Sequence, residues 1–392
     1  VTADLVVRRI GRLLTMAGDP IADAALVIRD GTVAWTGPDA DLAAGAAPAG
    51  APELDAGGAC VVPGFVDAHT HLVWAGSRRA DFVGRLAGEA YTPGGIHSTV
   101  AATRAASHDE LVALTTARAT AMLRDGTTTA EVKTGYGLTP ADELRLLDVI
   151  RDVAARTPQR IEPTYLGAHA VPPERDRSDY VAEVVATLPE AKARGARWCD
   201  VFCDRGAFTP DEARAILTAA AQQGLGTRIH ADQLASIGAT EVAAECGCAS
   251  ADHLDRIDAA GANALARNDV TAVLLPACTL TLGAPWDAAR HLADAGATIA
   301  LGTDCNPGTS WCESMPYVIQ LACLAYRLPV AAAFEAATRG SAKALRRNDI
   351  GHLGVGAKAD LAILDAEHEA DAVAHLGAPV VAMTVVGGIA PT

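Results

Sequence analysis

The sequence predicts an α/β fold: a (β/α)8 barrel, of the TIM type, carrying a small β-sandwich built from both chain ends. Three observations predict it. Between about residue 60 and residue 350, short β-rich runs alternate with helical ones, as parallel βα units do. Eight such runs can be counted, at 61–66, 127–133, 161–168, 199–203, 227–231, 249–253, 270–275 and 298–303. Both chain ends alternate as strands instead, and neither end alone can bury a core.

Taken in order, residues 4–36 read as strands around Arg29-Asp30-Gly31-Thr32, a hairpin turn signal. Residues 38–58, rich in Ala, Gly and Pro, read as a connector. The first barrel strand is expected over 61–66, followed by a stretch at 72–126 longer than an ordinary βα loop. Pro93-Gly94-Gly95 marks a flexible point within it, ahead of a helical run from Thr99 to Arg104; the stretch is either a lid over the barrel mouth or a structural insertion. Thr139-Pro140-Ala141-Asp142 opens a helix. Thr209-Pro210-Asp211-Glu212 opens another with an N-cap, a proline in the first turn and a capping-box glutamate, and Gly224 closes it. Residues 359–388 return to strands. The expected division is therefore 1–60 and 350–392 for the sandwich and 61–349 for the barrel.

Composition narrows the function classes. With 392 residues, half of them hydrophobic and 20% charged, a sizeable core is affordable and long disorder is not expected. A formal charge of −15 and the lack of any basic stripe argue against nucleic acid. There is no leader-like start and no uncharged apolar run of about 18 residues, so a cytoplasmic protein without a membrane partner is expected. The nine scattered cysteines read as reduced, mostly buried thiols.

The chemistry gathers at strand ends, where barrels place their active sites. His69 and His71 follow the first strand, and two residues apart on a strand they point to the same side. His169 ends the third strand, His230 the fifth, His253 the sixth and Asp304 the eighth. One such histidine alone reads as a structural residue; six groups at one rim read as a site. Three imidazoles and a carboxylate suit zinc or iron, so His69, His71, His230 and Asp304 are the expected ligands of one divalent ion, with a position left for water. Such an ion lowers the pKa of bound water toward about 7. Asp304 would then take the proton, and His253 would polarise a carbonyl or protonate a leaving nitrogen.

The motif Pro63-Gly64-Phe65-Val66-Asp67-Ala68-His69-Thr70-His71 resembles the opening metal motif of the amidohydrolase superfamily. Two-metal members of that superfamily carry a carboxylated lysine, usually at the end of strand four. Here that strand reads Cys199-Asp200-Val201-Phe202-Cys203-Asp204, and Lys133 is the only one of four lysines near the rim. One metal is expected, with Cys203 or Asp204 the alternative ligands for a second.

Further segments, HTHLVWAGSR (69–78), TTTAEVKTGYGL (127–138), TYLGAHAVPPE (164–174), RIHADQ (228–233), SADH (250–253) and TDCNPGT (303–309), resemble the imidazolonepropionase family in order and spacing, over essentially the whole chain. The resemblance implies that Arg78, Tyr136 and His169 contact substrate. It also implies that Asn306, Gly308 and Thr309 contact the carboxylates of the open-chain product, with backbone amides of that turn facing the pocket. Arg78 is otherwise a rim salt bridge, and Asn306-Pro307-Gly308 is also a plain turn signal. His97 and Trp311 are weaker candidates, for a lid and for packing respectively.

Gln233 stands where, by the resemblance, many family members carry a glutamate three residues after the strand-five histidine. Glutamine cannot shuttle a proton but can hydrogen-bond an imidazolone ring. The same change counts against a ring deaminase, which needs that glutamate. The implied activity is opening of the cyclic amide of 4-imidazolone-5-propanoate to N-formimidoyl-L-glutamate, in histidine degradation, by a homodimer acting on a small molecule. The alternatives are another one-metal cyclic amidase or aminoazine deaminase, and then a non-catalytic metal-binding barrel.

Overall fold

The computed structural model describes residues 3–43, 45, 47–89 and 95–390. Among the described residues, fifteen strands run in chain order: β1 (Leu5–Leu13), β2 (Ile21–Arg29), β3 (Thr32–Pro38), β4 (Glu53–Asp55), β5 (Cys60–Pro63), β6 (Phe65–Asp67), β7 (Thr127–Lys133), β8 (Arg160–Ala168), β9 (Trp198–Cys203), β10 (Gly226–Ala231), β11 (Ser250–His253), β12 (Thr271–Leu274), β13 (Ile299–Leu301), β14 (Leu361–Leu364) and β15 (Val381–Val385). Strands β6 to β13 pair consecutively in one eight-stranded sheet, and every pairing is parallel. The ring is drawn together just beyond its first and last strands. His71 N donates to the Cys305 carbonyl, and Asp304 N to that of His69, each at 3.0 Å. The bonds that bring the two edges together are thus made by expected metal ligands and their neighbours.

The chain ends form one seven-stranded sheet, ordered β15-β14-β5-β1-β2-β3 with β4 beside β1. Asp30 and Gly31 both adopt positive φ, 49° and 70°, as a two-residue hairpin of type I′ requires. Alternate residues Leu5, Val7, Leu26, Ile28, Leu361 and Ile363 share a core separate from that of the barrel. A bidentate pair, Arg160 Nε and Nη2 to Asp360 at 2.8 and 3.0 Å, ties this sheet to the start of β8.

The expected first strand, 61–66, is in fact two. Cys60–Pro63 lies between β1 and β14 in the terminal sheet, and only Phe65–Asp67 enters the barrel. The run is apolar and buried throughout, so its hydrophobicity cannot show where it changes sheets. Gly64 makes the crossing, at a point where a Cβ would stand 2.3 Å from the Thr128 side chain.

Local signals hold elsewhere. Thr209 caps the helix Pro210–Gln222 through a reciprocal capping box with Glu212, and Gly224 follows it at φ +72°. Thr139 caps Pro140–Ala154. The long 72–126 stretch contains the helices Arg79–Leu86, Ile96–Ala105 and His108–Arg124, while Pro93 and Gly94 lie outside the described residues. All nine cysteines are free thiols. Among the described residues, no helix is long and apolar enough to cross a membrane.

Candidate active site

The C-terminal ends of the barrel strands converge as the alternation requires. Arg228 and His230 on β10, Asp200 and Phe202 on β9, and Glu131 and Lys133 on β7 are each two residues apart and share a face. On β11 the rule is broken to useful effect. Asp252 reaches His69, and the next residue, His253, also reaches the site because its φ is +79°. Asp304 likewise turns at φ +51°. Left-handed backbone at non-glycine residues is costly and gathers at functional sites.

Four donors face one point. His69 Nε2 stands 3.2 Å from His71 Nε2, which stands 3.3 Å from His230 Nε2. Asp304 Oδ1 lies 3.5 Å from His69 Nε2 and 3.6 Å from His71 Nε2. His69 Nδ1 meets Asp252 at 2.7 Å and His230 Nδ1 meets Asp200 at 3.1 Å, so those nitrogens carry the hydrogens and the Nε2 lone pairs turn inward. Burial above all holds the His69 and His71 pKa values well below the usual range, so both rings are neutral. Neutral lone pairs aimed at one another bind nothing in each other. Tetrahedral ligation at about 2.0–2.1 Å puts ligands roughly 3.3 Å apart, close to these four separations, so the donor set fits a divalent cation.

Beneath this cluster lies a layer of charge with no solvent exposure. Lys133 Nζ donates to Asp200 at 2.7 Å and to Glu131 at 2.9 Å, and lies 3.8 Å from Asp252. Arg228 Nη2 lies 3.3 Å from Asp252 and donates to the Ala68 carbonyl at 2.6 Å. Burial opposes the Lys133 charge, but Asp200 and Glu131 hold its pKa above the ordinary value. Lys133 is therefore not a free rim lysine; its ammonium bridges toward the two carboxylates that orient His69 and His230. Neither alternative ligand for a second metal reaches the cluster in that role. Asp204 instead accepts backbone N–H groups from Arg205, Leu234 and Ala235, and Cys203 is a buried strand residue.

Above the cluster is a small cavity of ≈ 50 Å³. It is lined by every expected site residue except His69, which lies beneath: His71, Arg78, Tyr136, His169, His230, Gln233, His253, Asp304, Asn306, Gly308 and Thr309. His169 stacks on His71 with ring centroids 5.0 Å apart and makes a 2.9 Å hydrogen bond to the Gly135 carbonyl through Nδ1. Burial lowers its pKa to about 3, so it too is neutral. The Tyr136 loop is held by buried Glu143, which accepts from Gly135, Gly137 and Leu138 N–H at 2.7–2.8 Å. Gly135 has φ +108°, and a Cβ there would meet His169 Nδ1 at 2.7 Å.

Arg78 both lines the cavity and pairs with Asp81, so the two readings of it coexist. The Asn306 turn corrects one expectation. The amides of Gly308 and Thr309 do not face the cavity free; Asn306 Oδ1 accepts both at 2.8 Å. The side chain of Asn closes its own turn. Trp311 is 63% exposed and packs edge-on against Trp74. His97 is absent from the lining, where Ile96 stands instead.

Sequence reading missed Asp200, Asp252, Arg228 and Glu143 as supports, and Cys278, whose Sγ accepts from Gln233 Nε2 at 3.4 Å. A charged residue inside an otherwise apolar strand, as in Cys199-Asp200-Val201, is the signal that would have found Asp200. Burial pushes the Asp304 carboxyl up to about 7, with His230 pulling the other way; a cation at the four-donor centre favours its ionised form.

Known proteins resemble the chain in sequence and in fold. Residues 60–390 match the model of the amidohydrolase family. The chain is 46% identical to an imidazolonepropionase of Salinispora tropica, over 99% of this chain and 98% of that one. It is 49% identical to one from Streptomyces avermitilis, over 92% and 85%. Among solved structures, a zinc-bound adenosine deaminase from Xanthomonas campestris superposes with TM-score 0.76 at 19% identity, covering 99% of this chain and 92% of that one. An atrazine chlorohydrolase from Arthrobacter aurescens complexed with zinc does so with TM-score 0.76 at 19% identity, covering 98% and 94%. At that identity the likeness is one of fold. With its sequence likeness running nearly end to end, the chain belongs to the imidazolonepropionase family of amidohydrolases.

Proposed function

We propose that the chain hydrolyses the cyclic amide of 4-imidazolone-5-propanoate to N-formimidoyl-L-glutamate, as its curated relatives' name implies. The observation that carries the reading is one cavity joining the four-donor cluster to Arg78, the guanidinium suited to a carboxylate tail. His69, His71 and Asp304, which group as metal donors, would hold one ion together with His230 beside His71, zinc or iron, with the zinc of the structural neighbours as support for the first. When bound, the ion supplies a water activated near neutral pH and an electrophile for the ring carbonyl.

The protein's own groups do the rest. Arg78, Tyr136 and His169 orient the substrate, and Gln233 hydrogen-bonds the ring. Asp304 accepts the proton of the attacking water. His253, kept neutral chiefly by burial, donates to the carbonyl oxygen as negative charge develops there. The carbonyl carbon–nitrogen bond then breaks, and the proton held by Asp304 passes to the leaving nitrogen. Asn306, Gly308 and Thr309, which line the same cavity, are assigned to the carboxylates of the open-chain product. The family resemblance further implies a cytoplasmic homodimer; light scattering tests the oligomeric state and cell fractionation the compartment.

The activity test generates imidazolone propionate from urocanate with urocanase and follows its ultraviolet absorbance. Accelerated decay with formimidoylglutamate appearing, lost on chelation, supports the reading. Decay at the spontaneous rate by metal-loaded protein overturns it, and ammonia release would point to a deaminase.

A further inference from the structure

Cys278 is a rim thiol that the proposed hydrolysis does not use. It lies in the helix Pro276–Leu282 that follows β12 and is fully buried. One ligand atom each from His253, Cys278 and Asp304 lie within 4.8 Å of one another. His253 Nδ1 is buried with no hydrogen-bond partner among the described residues. An imidazole, a thiol and a carboxylate therefore meet with coordinating capacity left over.

Asp304 can serve two ions. Its Oδ1 is the atom nearest His69 and His71, and a carboxylate has a second oxygen with which to bridge. A donor set of sulfur, nitrogen and oxygen selects zinc or cadmium over magnesium, calcium or manganese. Gln233 makes the sulfur admissible. Its amide donates to Sγ, whereas a glutamate there would set a second negative charge against a thiolate.

We propose that His253, Cys278 and Asp304 form a second, thiophilic metal site, bridged to the first by Asp304, and that zinc or cadmium bound there inhibits hydrolysis. Binding is ligand exchange: the ion sheds water, Cys278 releases its proton to solvent, and the sulfur–metal bond forms with nothing oxidised or reduced. The ion occupies His253 and Asp304, the groups assigned to charge and proton handling. The inhibitory part rests on the hydrolytic reading above; the binding part does not.

The test titrates protein carrying one equivalent of zinc with cadmium. It reads the ultraviolet thiolate-to-cadmium absorption and the metal retained after dialysis. One further equivalent should bind as the absorption saturates, and Cys278→Ser should lose both. No second equivalent in the parent protein, or an undiminished absorption in Cys278→Ser, overturns the site. Cadmium NMR of the parent protein needs no variant. A resonance in the sulfur-ligated range supports the site, and resonances from oxygen and nitrogen ligation alone overturn it. Hydrolysis should fall in step with the second equivalent; full activity with both ions bound overturns the inhibitory part.

Discussion

The two ends of the barrel differ in a way that separates cavity size from chemistry. At the N-terminal end lies a groove of ≈ 1010 Å³ lined by Arg339, Lys343, Arg346 and Arg347. Each cation there already has a partner: Arg339 the Met16 carbonyl, Lys343 and Arg346 Asp269, and Arg347 both Glu162 and Asp349. At the C-terminal end the cavity is only ≈ 50 Å³, yet buried imidazole nitrogens face one another. Leaving buried polar atoms unsatisfied is costly, so a fold that does so has a use for them. Unmet bonding capacity under burial, rather than volume, marks the working end.

The comparison can be broken at either end. The largest effect is expected from Asp304→Asn, which should lower kcat by roughly 10²–10⁴-fold by removing the proton acceptor. Near-parental kcat in steady-state assays would end its assignment. Lys133→Met should cost about 3–5 kcal/mol in denaturant unfolding, since it leaves Asp200, Glu131 and Asp252 short of their buried counter-charge. Asp252→Asn should weaken metal binding about 10–100-fold in chelator competition, because an amide no longer enforces the hydrogen on His69 Nδ1. The smallest effect belongs to the other end. Arg346→Ala should change stability by less than about 1 kcal/mol, its pair with Asp269 being at the surface, and leave kcat/KM unaltered. A drop in kcat/KM there would mean that the large groove also serves the reaction.

Much of this architecture is legible before folding because the relevant rules are local. Thr209 and Glu212 cap a helix whatever surrounds them, and Asp30-Gly31 turns a hairpin because both residues tolerate positive φ. The strand-end groups His69, His71, His230 and Asp304 are legible because parallel strands in a barrel bring their C-terminal ends together. What escapes is non-local. Lys133 reads as a rim lysine until Asp200 and Asp252, distant in sequence, are seen around it. Gly308 and Thr309 read as free amides until the Asn306 side chain turns back on them.

By itself, then, the sequence determined the repeating βα units, the caps and turns, and which side chains end each strand, since each follows from periodicity or from bonds within a few residues. Only the tertiary structure decided that residues 60–66 divide between two sheets, that an α-positive φ swings His253 in beside Asp252, and that Cys278 meets Gln233. Those outcomes depend on which surfaces pack together, and a buried apolar run or a lone thiol carries no local mark of the neighbour it will find.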